Sequence, residues 1–138
     1  KDRCAQKIIE YIGGDLTGKT IAILGWPFKA NTNDTRESAA IYVTEKLYKA
    51  GAIIKVYDPL VNEIQIKKDI NENWIINNPV DSNRLEIDVL SNFKSYSFNC
   101  AVILTESQDY KNFDYGVLPI FDGRRLISKL KTTYSIGS

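Results

Sequence analysis

Four short runs rich in branched apolar residues punctuate the chain: TIAIL at 20–24, AIIKVYDP closing at Asp58-Pro59, NCAVILT at 99–105 and PIFDGRR at 119–125. Each apolar run is too short for a stable helix and lacks the alternation of a half-solvated strand. Such segments are strands buried on both faces. Parallel strands of this kind need crossovers of a dozen or more residues, and the intervals between these runs are long enough to supply them. That pattern constrains the fold more than any other feature of the sequence.

The intervals are read in the same way. Cys4, Ile8, Ile9 and Tyr11/Ile12 recur at helical spacing within 2–12, which predicts a helix stopped by Gly13-Gly14. Ala40, Ile41, Val43, Leu47 and Tyr48 predict a second helix running from Glu37 to Gly51, with Asp34 as its N-cap and Glu37 completing a capping box. Residues 61–83 are polar and Asn-rich, an irregular excursion with one short helix at 62–69. A short strand is expected near 84–88, a brief helix in SNFKSYS, a loop with a helical turn after 105, and a short helix in RLISKLK. Strands alternating with helices give an α/β fold with a doubly wound, mostly parallel, Rossmann-like sheet. At 138 residues this is one domain with room for a real core.

Composition removes several function classes. There is no histidine, so Ser-His and Cys-His nucleophilic machinery and the commonest transition-metal ligand are absent. Lys plus Arg is 18 and Asp plus Glu is 17, a net charge of +1 that argues against a nucleic-acid surface. No apolar run approaches the roughly 20 residues of a membrane span, and no basic-then-apolar signal segment opens the chain. Two cysteines are too few for a zinc cluster; Cys100 reads as a small buried thiol, and a reducing, cytoplasmic setting is expected.

The stretch GGDLTGKT (13–20) satisfies the phosphate-loop expression, but it follows a helix and feeds a strand. That is the reverse of what a phosphate loop requires, so it reads as a helix stop and a turn. Asp58 ends the second strand as a receiver phosphoacceptor would, yet GWPFK lacks the companion acids, leaving an Asp-Pro turn. GWPFKA also lacks G-x-G-x-x-G, so an independent dinucleotide site is not expected.

Ligands of doubly wound sheets bind beyond the carboxyl ends of the strands, here loops 25–36, 58–62, 105–109 and 122–125. Trp26 and Phe28 offer flat apolar faces, Lys29 a point charge and Arg36 a planar fork suited to phosphate or carboxylate. Arg124 and Arg125 leave the fourth strand at a neighbouring level. Lys29, Arg36 and Arg124 are therefore candidates to converge on one polyanion. Each also has a plainer role: Asp34 and Glu37 as caps, Arg36 paired with an acid such as Glu37 or Glu106, Lys29 solvated, and Trp26 and Phe28 in the core.

In order and spacing, KTIAILGWPFK, TNDTRES, VYDP, AVILTES and IFDGRR resemble the C-terminal, UDP-binding domain of the UDP-glucose 6-dehydrogenases, in the UDP-glucose/GDP-mannose dehydrogenase family. The resemblance covers essentially the whole chain. It makes 1–14 the end of the helix joining two halves of such an enzyme and 15–138 the UDP-sugar-binding domain. It implies an oxidoreductase that converts UDP-glucose to UDP-glucuronate with two NAD⁺ and works as a homo-oligomer. The N-terminal NAD-binding half, with the G-x-G-x-x-G motif and the catalytic cysteine, lies outside this segment, so no catalytic residue and no activity are expected here alone. Phe28, Lys29 and Arg124 match residues that contact the UDP-sugar; Arg36 matches one that reaches the NAD site of the other half.

Three positions depart from the family pattern: Trp26 where Phe is frequent, Pro27 where a small residue is usual, and Ser107, where TES replaces the usual TEW. Pro27 fixes φ and removes a donor, which bears on the shape of the loop before Lys29. A sister domain acting on GDP-mannose or a UDP-N-acetylhexosamine, a free-standing nucleotide-sugar-binding module, and a dimerisation remnant that binds nothing are the other readings.

Overall fold

The computed structural model describes residues 2–27, 29, 32–36, 38–88, 93–123 and 133–135. Helix α1 spans Asp2–Ile12 and leads into strand β1, Thr20–Leu24. Then follow α2 (Ala39–Lys49), β2 (Ile53–Tyr57), α3 (Glu63–Asn73) and β3 (Leu85–Asp88). The chain continues through β4 (Cys100–Ile103), β5 (Ile120–Asp122) and β6 (Thr133–Ser135), with 3-10 turns at Ser95–Ser97 and Gln108–Asn112. All neighbouring strands pair in parallel, in the order β3-β2-β1-β4-β5-β6. The doubly wound parallel sheet expected from the four apolar runs is present, and β6 is a strand that the sequence did not announce.

The two faces of the sheet are covered differently. On one, Ile21, Ile23, Ile54 and Val56 pack against Ile8 of α1, Leu47 of α2 and Ile66 of α3. On the other, Ala22, Leu24, Tyr57 and Ile103 meet Tyr110, Tyr115 and Leu118, with Phe93, Phe98 and Phe113 packed against them. Phe93 stacks on Phe113 with ring centroids 4.8 Å apart and on Phe98 at 5.5 Å. Aromatic side chains from 3-10 and irregular segments thus do on this face what helices do on the other. Stacked and edge-on rings bury large areas per residue, so short crossovers suffice.

Two expectations change in detail. The second helix is capped by Ser38, whose Oγ accepts from Ala40 N at 3.1 Å, and not by Asp34. The excursion after β2 contains an eleven-residue helix, capped by Asn62 accepting from Gln65 N at 2.8 Å, where a short one was expected. This helix buries only Ile66, Asp69 and Ile70, so its apolar period is too thin to read in sequence. The helix expected in RLISKLK and the capping partner Glu37 lie outside the described residues.

Candidate functional site

Strand β1 lies between β2 and β4, so successive crossovers diverge at the carboxyl ends of β1 and β4, where such sheets bind ligands. Gly25 leaves β1 with φ of +101°, and a Cβ there would lie 2.2 Å from Thr105 Oγ1. Only glycine lets the β1 exit approach the β4 exit so closely. Thr105 Oγ1 in turn donates to Pro27 O at 2.6 Å. Two strand-end loops are thereby joined at their bases.

Trp26 is wholly buried and tied through three polar groups. Its backbone N–H donates to Asp58 Oδ2 at 3.0 Å, its carbonyl accepts from Ser38 Oγ, and its indole N–H donates to Asp69 Oδ2 at 2.9 Å. Asp58 also accepts from Leu60 N at 2.8 Å and Val61 N at 2.9 Å, which makes it the organiser of the Asp-Pro turn. Of the alternatives for Trp26, the core role holds; it is not an exposed aromatic wall.

Beyond these anchors opens a cleft of about 90 Å³ whose lining includes Pro27, Thr32, Asp58, Thr105, Asp109 and Tyr110. Ligand pockets for small molecules usually span about 300–1,000 Å³. The cleft falls below that range. Ser107, where the family carries an aromatic, is buried, and its Oγ accepts from Asp109 N at 3.3 Å to cap the turn at 108–112. Tyr110 donates to Tyr57 O at 3.4 Å, and burial, reinforced by the charge of Asp58, pushes its phenol pKa up, so it stays protonated. Nothing in the sequence singled out Thr105, Asp109 or Tyr110. The loop that carries them was recognisable only as a strand exit.

The predicted site residues are placed as follows. Lys29 is exposed, two residues beyond the anchored Pro27. Arg36 is also exposed and is held by Asp34, with Nε–Oδ1 at 2.9 Å and Nη2–Oδ2 at 2.7 Å. The guanidinium's hydrogen bonds, assisted by the Arg36 backbone N–H, hold the Asp34 carboxyl down at about 2. Arg36 lines a separate hollow between α2 and α3 that it shares with Thr35, Tyr42, Lys68 and Asp69. Arg36 therefore does not line the strand-end cleft. Phe28, Arg124 and Arg125 lie outside the described residues. Strand β5 ends at Asp122, and Gly123 N donates to Ile103 O at 3.0 Å, which brings the β5 exit to the carboxyl end of β4.

The β1 exit of this chain reads GWPFKA and not the G-x-G-x-x-G of a dinucleotide-binding turn, and Gly25 packs directly against Thr105. Both thiols are free and buried, and burial raises Cys4 to about 11 and Cys100 to about 12. Neither is an activated nucleophile.

Residues 22–129 match the model of the UDP-glucose/GDP-mannose dehydrogenase family, UDP binding domain. The chain is 35% identical over 139 residues to the UDP-glucose 6-dehydrogenase of Drosophila melanogaster, covering 92% of this chain and 29% of that protein. It is 31% identical over 163 residues to UDP-glucose 6-dehydrogenase 1 of Arabidopsis thaliana, covering 99% of this chain and 34% of that one. A solved UDP-glucose dehydrogenase from the archaeon Pyrobaculum islandicum superposes with a TM-score of 0.69 at 23% identity, over 96% of this chain and 28% of that chain. The chain thus spans about a third or less of the length of each of these proteins.

Proposed function

The chain belongs to the UDP-glucose/GDP-mannose dehydrogenase family, as its UDP-binding domain, and on that footing we propose that it holds UDP-glucose for a UDP-glucose 6-dehydrogenase. The observation that carries this reading is the family match itself. Its residues 22–129 include both the β1 exit with Lys29 and the β5 exit with Arg124. The cleft of about 90 Å³ at the strand ends is too small to enclose a nucleotide sugar by itself, which is consistent with a site shared with another part of a longer protein.

In this reading Lys29 and Arg124 offset the diphosphate and Phe28 flanks the nucleotide sugar. Arg36, on a separate face beside α2, reaches toward NAD held by an N-terminal half. The full enzyme oxidises the C6 alcohol to a carboxylate, taking the second oxygen from water, passing two hydrides to two NAD⁺ and releasing three protons, and assembles as a homo-oligomer. The part taken by this chain is binding and orientation: a compact ammonium and a planar guanidinium meet a pyrophosphate from two strand exits.

The test is steady-state kinetics of the full-length enzyme carrying this domain. Lys29→Ala and Arg124→Ala should each raise KM for UDP-glucose roughly 30- to 150-fold, the loss of about 2–3 kcal/mol of charge-assisted hydrogen bonding. Unchanged KM in both variants, or no UDP-glucose-dependent reduction of NAD⁺ by the unsubstituted enzyme, would sink the reading.

A further inference from the structure

Asp69 stands out among buried polar groups. It sits on α3, is 6% exposed, and is 43 residues from Trp26, which it binds. One carboxylate oxygen accepts from Trp26 Nε1 at 2.9 Å and the other from Gln65 Nε2 at 2.9 Å. A buried carboxylate held, among the described residues, by these two side-chain hydrogen bonds, at the edge of the hollow it shares with Arg36 and Lys68, is costly to retain for stability alone. An apolar residue beside a phenylalanine at position 26 would fill the same place without a desolvated charge. The acid and the indole therefore go together: a ring lacking the N–H would leave Asp69 short of a donor.

We infer that Asp69 is a positioning residue for the loop that presents Lys29, acting through Trp26. This inference rests on the UDP-binding reading given above. Trp26 has three tethers, to Asp58 after β2, Ser38 at the start of α2, and Asp69 on α3. The first two hold its backbone; the third holds the polar edge of its side chain, whose ring is otherwise packed in the core. Pro27 follows directly, with its carbonyl gripped by Thr105, and Lys29 is two residues beyond. A rotated indole would shift the base of the loop and carry the ammonium off its anion. The Asp69 tether and the Thr105 hydrogen bond thus hold the two residues from which the loop springs, Trp26 and Pro27.

The experiment measures UDP affinity by calorimetry, KM and kcat for UDP-glucose, and thermal midpoint, all in the full-length enzyme. Asp69→Leu and Trp26→Phe should each weaken UDP binding and raise KM by about tenfold, with kcat changed less, because displaced binding groups lose alignment before chemistry is touched. Asp69→Asn, which keeps an acceptor for the indole and a polar partner for Gln65, should restore binding to within about twofold of the unsubstituted enzyme. The double variant Asp69→Leu/Trp26→Phe should bind no more weakly than the worse single variant, as expected for one shared interaction. Should Asp69→Leu fail to fold, Trp26→Phe and Asp69→Asn carry the same comparison. Variants that lose thermal stability but bind UDP as the unsubstituted enzyme does would overturn the positioning role alone. An unsubstituted enzyme that does not bind UDP would overturn the site and this inference with it.

Discussion

Asp34 and Arg36 are two residues apart and form a forked pair on the surface before α2. A carboxylate that accepts two guanidinium hydrogen bonds favours its charged form, which is why Asp34 lies near 2 against an ordinary 3.8. Its folded value is depressed, so its contribution to stability is present above 3.8 and disappears as pH falls through about 2. Carboxyl NMR titration should find Asp34 ionised at pH 3, and Arg36→Ala should return its midpoint toward 3.8. High salt should have a similar, smaller effect, since the pair is exposed. An Asp34 that titrates normally in the unsubstituted protein would show that the fork does not persist in solution. Cys4 and Cys100 pose the opposite case, with burial holding the thiols protonated at about 11 and about 12. At pH 8 only about one Cys4 in a thousand, and fewer Cys100, carries the reactive thiolate. A thiol-reactive chromogen should therefore label neither in the native protein and both in denaturant; rapid native labelling would contradict the packing of α1 on the sheet.

Helix α2 shows how a local signal misleads. Asp34 and Glu37 have the spacing of a capping box, yet the first helical turn begins at Ala39. Ser38 competes successfully because its hydroxyl serves two groups, accepting from Ala40 N and donating to Trp26 O in a site closed to water. Asp34 is exposed and satisfied by Arg36. Sequence spacing scores the helix terminus alone, whereas the fold also scores the buried carbonyl that needs a donor. Ser38→Ala removes the cap and leaves that carbonyl unsatisfied, and should destabilise the domain by about 2 kcal/mol in urea titration. Asp34→Ala should leave the urea midpoint nearly where it was. The reverse ranking would restore Asp34 as the cap. Helix α3 was harder to read for a different reason: Ile64 on its first turn is 80% exposed and Asp69 on its inner side is buried, so hydropathy and burial run against one another.

Across the whole molecule, the strands were legible because burial on both faces leaves a signature no other element shares. TIAIL, AIIKVY, CAVI and IFD all pair in one parallel sheet. The site was legible only as a set of strand exits. Lys29 and Arg36 are read in the sequence as one anion edge, and of the two Arg36 lines the hollow between α2 and α3; Thr105 and Tyr110 entered the cleft through tertiary contacts between loops about 80 residues apart in sequence, a separation that no local pattern encodes. The seam between β1 and β4 is where the two halves of the sheet meet and where the site opens, so it gives the most direct test of the architecture. At that seam Gly25 combines φ of +101° with Thr105 Oγ1 at 2.2 Å and Thr105 N at 2.9 Å from where a Cβ would lie. At Gly18 φ is +80°, but nothing lies within 4 Å. Alanine at 18 meets only backbone strain and should cost about 1–2 kcal/mol. At 25 it meets strain and a collision with backbone, so the β1 and β4 exits must separate, and the cost should reach about 3–5 kcal/mol. The Thr105–Pro27 hydrogen bond spans the same seam, so Gly25→Ala should also loosen the loop bearing Lys29 and weaken UDP binding in any protein that remains folded. Chemical denaturation of the two alanine variants side by side separates these contributions. Equal losses would mean that the two strand exits do not touch in solution as they do here, and that the cleft between them has another shape.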